Sequence, residues 1–204
     1  LEYMGQYPVI SLSLKSAKQP DFEMAYGAIV NEISKEFDRH SYVILGDTLS
    51  LDEKEQYIRI RGKKASSIEY ATALEFLTRC LKKVYQKKVI ILLDEYDVPL
   101  ENAYFKGFYD KITDFIRSLF ESALKTNPNL EFAVITGCLR ITKESIFTGL
   151  NNLDVISIMN RNYAEYFGFT PKEVENMLCD YGIEGRNDEV KQWYDGYCFG
   201  ETEV

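Results

Sequence analysis

The chain has 204 residues, 46% of them hydrophobic and 27% charged, with 24 Lys and Arg against 32 Asp and Glu for a net charge of −8. That size and apolar content suit one α/β domain, or one domain with an appendage, and exclude a disordered chain. The acidic balance argues against a broad phosphate-backbone-binding surface and leaves room only for a local basic groove, so no direct nucleic-acid partner is expected.

Cys80, Cys138, Cys179 and Cys198 are widely spaced and form no CxxC pair, which suits a reduced, cytoplasmic location better than a disulfide framework. No apolar run approaches the roughly 20 residues of a membrane span, and no basic-then-apolar leader opens the chain. The first residue is Leu1 rather than Met, and both ends read as cuts within a longer protein.

In chain order, "PVISLSL" at 8–14 alternates apolar and polar residues after a proline and predicts a short strand. Phe22, Ala25, Ile29, Ile33 and Phe37 then recur at helical spacing. The charged stretch 46–62 predicts a short helix between loops. Ser66 with Glu69 three residues on is a capping-box pattern, and Leu74, Leu77, Leu81 and Val84 continue one apolar stripe to about Gln86. "VIILLD" at 89–94 is an unbroken apolar run, as in a strand of a parallel sheet buried on both faces. Residues 108–126 predict a helix with Ile112, Phe115, Ile116, Leu119 and Leu124 inward. "LEFAVITG" at 130–137 reads as a second buried strand and "DVISIM" at 154–159 as a third. Thr170, Pro171 and Glu173 open another helix that Gly182 should stop, and 187–200 predicts a helix and turn. Strands alternating with helices build a parallel sheet.

The chemistry concentrates where "VIILLD" ends. Ligands of open α/β sheets sit at the carboxyl ends of the strands, so an acid closing a buried strand faces the site. In P-loop NTPases such an acid holds Mg²⁺ beside the nucleotide phosphates, and an acid directly after it can polarise the attacking water. Asp94 and Glu95 fit those two places: Asp94 on the metal side, Glu95 as general base. Thr136 ends the next predicted strand, where a hydroxyl could contact the γ-phosphate or the water. Arg140 follows in "GCLRITKES" and could stabilise charge on a transferring phosphate. Each residue also has a bland reading. Strands commonly leave the core through Asp or Glu, a lone Thr is usually a satisfied hydroxyl, and a lone Arg is usually salt-bridged. Asp97 reads foremost as a cap for the helix that Pro99 begins.

No G-x-x-x-x-G-K-[ST] phosphate cradle occurs; the lone Gly-Lys pair, Gly62-Lys63, lacks the first glycine and the hydroxyl residue. A single histidine, His40, and no GxSxG leave a serine hydrolase without support, and His40 reads as a capping or solvent residue. The cysteine spacing forms no zinc site. Tyr163, Tyr166, Tyr194 and Tyr197 read as packing residues rather than a base-stacking platform. A metal-dependent nuclease site at "DEYD" lacks a nearby [DE]-x-Lys strand.

Four separated blocks, "KKVIILLDEYDVPL", "FAVITGCLRITKESIFTGLNNL", "YFGFTPKEVENML" and "WYDGYCFG", together resemble the predicted AAA-ATPase-like family of bacterial proteins, from about Tyr7 to the C-terminus. The resemblance implies a three-layer α/β/α parallel sheet of P-loop NTPase type, here lacking its first strand and P-loop, with a helical C-terminal extension. The expected division is an incomplete ATPase-like core at 1–160 and a helical, lid-like extension at 161–204. By the same resemblance Asp94 and Glu95 match the Walker B acids, Thr136 the sensor-type strand end and Arg140 the arginine of the "LRI" block. The Walker A lysine would lie upstream of residue 8, and a PD-(D/E)xK nuclease-like domain would follow downstream. The cofactors implied are ATP and Mg²⁺, both dependent on the upstream P-loop, so this segment alone should be inactive. The function implied is Mg-ATP binding and hydrolysis that regulates a downstream effector. The alternative is a non-catalytic nucleotide-binding or interaction module controlling a nuclease-like partner. A sheet without its central strand would expose two edges, and pairing with a second copy through one of them is plausible.

Overall fold

The computed structural model describes residues 3–138, 146–147, 150, 153–157, 159–166, 168–194, 198–199 and 202–203. The chain divides into two compact units, Leu1–Asn151 and Asn152–Val204. The described residues form a mixed α/β structure with a three-stranded parallel sheet and eight helices, as the alternation of strands and helices predicts and in keeping with an α/β/α fold of P-loop type.

In the first unit, β1 (Val9–Ser13), β2 (Val89–Asp94) and β3 (Leu130–Ile135) lie in that order, with β2 central. The register aligns Ser13 with Asp94 and Leu93 with Ile135, so the three carboxyl ends finish together. The helices begin where their caps predict. In α1 (Phe22–Arg39), Asp21 accepts the Met24 N–H at 2.9 Å. In α2 (Leu51–Arg61), Ser50 and Glu53 form a reciprocal capping box, an unforeseen start within the charged stretch. The Ser66–Glu69 box opens α3 (Ser67–Ala71), but the single predicted helix breaks at Thr72, and α4 (Ala73–Tyr85) restarts it. The Thr72 hydroxyl donates back to the Ile68 carbonyl at 3.1 Å, a local bond that competes with the helical ladder. Two further helices follow β2, α5 (Val98–Lys106) and α6 (Tyr109–Leu124).

One face of the sheet is packed against the core, closely over β1 and β2 and partly over β3. Ile10, Leu12, Ile91 and Leu93 are at most 2% exposed and join Phe37, Phe76, Leu77, Ile116 and Phe120 in the core. The opposite face is not. Leu92 and Val134, paired in register, are 38% and 44% exposed, so neither β2 nor β3 is buried on both sides as its unbroken apolar run suggested. Apolar composition records what a strand can bury, not how much cover the fold provides.

The second unit contains α7 (Pro171–Asp180), α8 (Asn187–Tyr194) and an antiparallel ribbon of β4 (Cys198–Phe199) with β5 (Thr202–Glu203). Thr170 and Glu173 cap α7 reciprocally, and Gly182, at φ +65°, follows its last turn. The expected strand at 154–159 does not form over its described part, 154–157 and 159. Val155 and Ile156 are exposed, and the Ser157 N–H instead bonds the Asn160 side chain at 2.8 Å, making a turn. A short apolar run becomes a strand only where a neighbour pairs with it. Tyr163, Tyr166 and Tyr194 are exposed rather than packed, because Ala164 and Leu178 are the buried apolar residues that this unit's described part provides. Tyr197 lies outside the described residues. Among the described residues no helix is long and apolar enough to cross a membrane.

Candidate active site at the carboxyl ends of the strands

Asp94 closes β2 and is exposed, as a side chain emerging from the core at the last strand position must be. The Thr136 hydroxyl, one residue past β3, donates to Asp94 Oδ1, while the Thr136 N–H donates to the Leu93 carbonyl at 2.8 Å. The sheet register thus brings together two of the predicted residues from positions 42 apart in sequence. Arg140 lies outside the described residues.

Glu95, the third predicted residue, turns the chain out of the sheet. Its φ is +54°, a left-handed conformation costing an L-residue roughly 1–2 kcal/mol. The Tyr96 N–H donates to the Thr136 carbonyl at 3.2 Å and the Val98 N–H to the Glu95 carbonyl at 3.3 Å, which holds that turn in place. The Glu95 carboxylate accepts the Ser13 hydroxyl at 3.4 Å, so the end of β1 also belongs to the site. Polar groups from all three strands therefore converge on one corner: Ser13, Asp94 with Glu95, and Thr136.

Three residues support this corner from beneath: Asp97, Gly137 and Tyr96. Asp97 is 3% exposed and occupies the position before α5, but its side chain makes no cap bond there. It accepts the Cys138 N–H at 2.9 Å instead, tying the loop after β2 to the loop after β3. A Cβ added to Gly137 would meet Asp97 Oδ1 and Tyr96 Cε1 at 2.7 Å each, so this position needs glycine for close approach. Tyr96 points inward and packs against Phe147, 5.2 Å between ring centroids. Ser13 and Gly137 went unread in the sequence because their partners lie in other strands. Its place as a polar residue near the end of the predicted strand 8–14 was the one available signal for Ser13.

All the donors in this corner are oxygens, the set that a hard divalent cation takes, and Mg²⁺ is commonly held by one or two carboxylates together with substrate phosphates. Among the described residues no group of three or more His, Cys, Asp or Glu is placed to hold a metal ion. Gly62-Lys63 is not a phosphate cradle. Gly62 caps the C-terminal end of α2, where the helix dipole is negative, and Lys63 Nζ donates to the Asn31 side chain. A cavity of about 400 Å³ opens near Tyr7, Val9, Arg39, Tyr42 and Tyr85 at the far end of β1. Arg39, His40, Tyr42 and Tyr85 there bond one another or the β1 main chain, so the polar groups around that cavity are already engaged.

Comparison with known proteins gives a consistent result. The chain is 34% identical over 112 residues to an uncharacterized protein of the vnfD 5' region of Azotobacter chroococcum mcd 1, a match covering 54% of this chain and 22% of that protein. The chain therefore matches about a fifth of that relative's length. No solved structure matches it. The family model described as Predicted AAA-ATPase matches residues 1–147, the stretch that holds the sheet and its converging acids, and the chain belongs to that family.

Proposed function

We propose that the chain is the nucleotide-handling core of an AAA-like ATPase that binds and hydrolyses Mg-ATP within a longer protein and passes the resulting change to a downstream effector, a nuclease-like domain. The observation that carries this reading is the hydrogen-bonded pair of Asp94, at the end of β2, and Thr136, one residue past the adjacent parallel β3, with Glu95 directly after Asp94. Asp94 would hold Mg²⁺, which when bound neutralises charge on the β- and γ-phosphates, and Thr136 would contact the γ-phosphate or the attacking water. Asp94 keeps an accessible carboxylate, and the Thr136 hydroxyl orients it. Glu95 takes a proton from the attacking water as general base, and Ser13 steadies its carboxylate. Arg140 stabilises charge on the transferring phosphate. The glycine-rich cradle and its lysine are assigned to a segment upstream of residue 8, so the isolated chain should bind Mg-ATP weakly and turn it over little.

The test is calorimetric titration with Mg-ATP, together with turnover assays, on this chain and on the longer protein. In the longer protein Asp94→Ala should lower turnover by about 100-fold or more, and Glu95→Gln should keep binding while lowering turnover by a similar factor. Unchanged turnover in Glu95→Gln would remove the general-base assignment. Binding with no turnover in the unaltered protein would favour the non-catalytic module, and no binding at all would end the nucleotide reading.

A further inference from the structure

An edge strand presents a row of main-chain donors and acceptors that a second chain can pair with. The Ile90 N–H donates to the Pro8 carbonyl at 3.0 Å and the Leu14 N–H to the Asp94 carbonyl at 2.9 Å. Even-numbered residues of β1 thus turn their main-chain groups toward β2, and Val9, Ser11 and Ser13 turn theirs outward. In a parallel ladder one residue of a neighbouring strand would donate its N–H to the Val9 carbonyl and accept the Ser11 N–H.

Both places are taken. Arg39 Nη2 donates to the Val9 carbonyl at 2.7 Å, with His40 Nε2 3.1 Å from the same oxygen. The Ser11 N–H donates to Glu36 Oε1 at 2.8 Å. Arg39 and His40 follow Glu36 by three and four residues, at the end of α1 and at its C-cap, so one side of that helix end delivers all three. They also contact each other: Arg39 Nε donates to Glu36 Oε2 at 2.8 Å, and His40 Nε2 lies 3.4 Å from Glu36 Oε1, while His40 Nδ1 lies 2.8 Å from the Tyr42 hydroxyl. Glu36 is 5% and His40 4% exposed, so removing them from the edge would leave a desolvated carboxylate without its partners.

We infer that the last turns of α1 act as a surrogate strand residue, with Arg39 in place of the N–H and Glu36 in place of the carbonyl, and that this closes the outer edge of β1 to pairing with a second copy of the chain. The expectation of two open sheet edges is corrected for β1. Its edge is occupied by side chains that imitate the hydrogen bonds of a neighbour, and any growth of the sheet is directed away from it.

The test is sedimentation velocity on the unaltered chain, Glu36→Ala, and Glu36→Ala combined with Ser11→Pro. Glu36→Ala should associate at concentrations about tenfold or more below those the unaltered chain requires. Proline at 11 removes an outward N–H that β2 does not use, so it should abolish the gained association. A folded Glu36→Ala that associates no more than the unaltered chain overturns the inference, as does association that survives Ser11→Pro. Should Glu36→Ala fail to fold, amide exchange of the unaltered chain decides. The Ser11 amide should exchange within about tenfold of the Leu12 amide, and exchange at the rate of an unstructured peptide would overturn the inference.

Discussion

Glu36 and Asp94 both bring a carboxylate to the parallel sheet, one at its outer edge and one at its carboxyl end, and their surroundings are opposite. Glu36 is almost wholly buried and receives the Ser11 N–H and the Arg39 guanidinium, with His40 3.4 Å away. Burial alone would raise its pKa, but the bonds from His40, Arg39 and Ser11 outweigh burial and hold it below the ordinary value. Asp94 is exposed, and the partner recorded for its carboxylate is the neutral hydroxyl of Thr136. A carboxylate engaged by main chain and cations serves the fold. One kept in water beside a neutral hydroxyl retains its capacity for a ligand.

The largest effect that tests this contrast is on Glu36. Glu36→Ala should lose about 2 kcal/mol or more in urea unfolding, below the 3–5 kcal/mol of a fully buried pair because Arg39 is half exposed and can rehydrate. A loss under about 0.5 kcal/mol would erase the distinction between the two acids.

Gly137→Ala sharpens the other side of the comparison. The new methyl group would press on Tyr96 and Asp97, and overpacking of this kind costs about 1–3 kcal/mol, measurable by thermal unfolding. The candidate-site corner would then owe its rigidity to close approach beneath Asp94 rather than to pairing of Asp94 itself.

Acid supplies a smaller and signed test. Because the folded-state pKa of Glu36 lies below the ordinary 4.5, its contribution is complete above that value and is lost as pH falls through the folded pKa. The stability difference between the unaltered chain and Glu36→Gln should stay constant above pH 4.5 and shrink below it. A difference that grows on acidification would reverse the assignment. The smallest effect belongs to Asp94→Ala, whose stability should stay within about 0.5 kcal/mol of the unaltered chain, since its neighbours are solvated. A loss above about 1.5 kcal/mol would make Asp94 a structural acid after all.

Several parts of this molecule could be read without any tertiary information, and each depends on residues close in sequence. The capping boxes at Ser66 and Thr170 act over three residues, so both helix starts were legible. The five apolar residues before Asp94 marked β2 and the position where it ends. Asp97 shows the limit of such reading. It occupies the predicted cap position, yet its side chain reaches across to Cys138, 41 residues away.

The sequence by itself therefore determined the α/β alternation, the main strand and the acids that close it, because propensity, capping and periodicity are local. Tertiary structure alone decided which groups those acids meet. The register of parallel strands set Thr136 against Asp94 and Ser13 near Glu95, and the packing of α1 carried Glu36 to Ser11. It also decided that 153–157 is no strand and that one face of the sheet keeps Leu92 and Val134 partly in water. A hydrophobic pattern states that a segment should be covered; which segment covers it, and in what register, emerges only when distant elements pack.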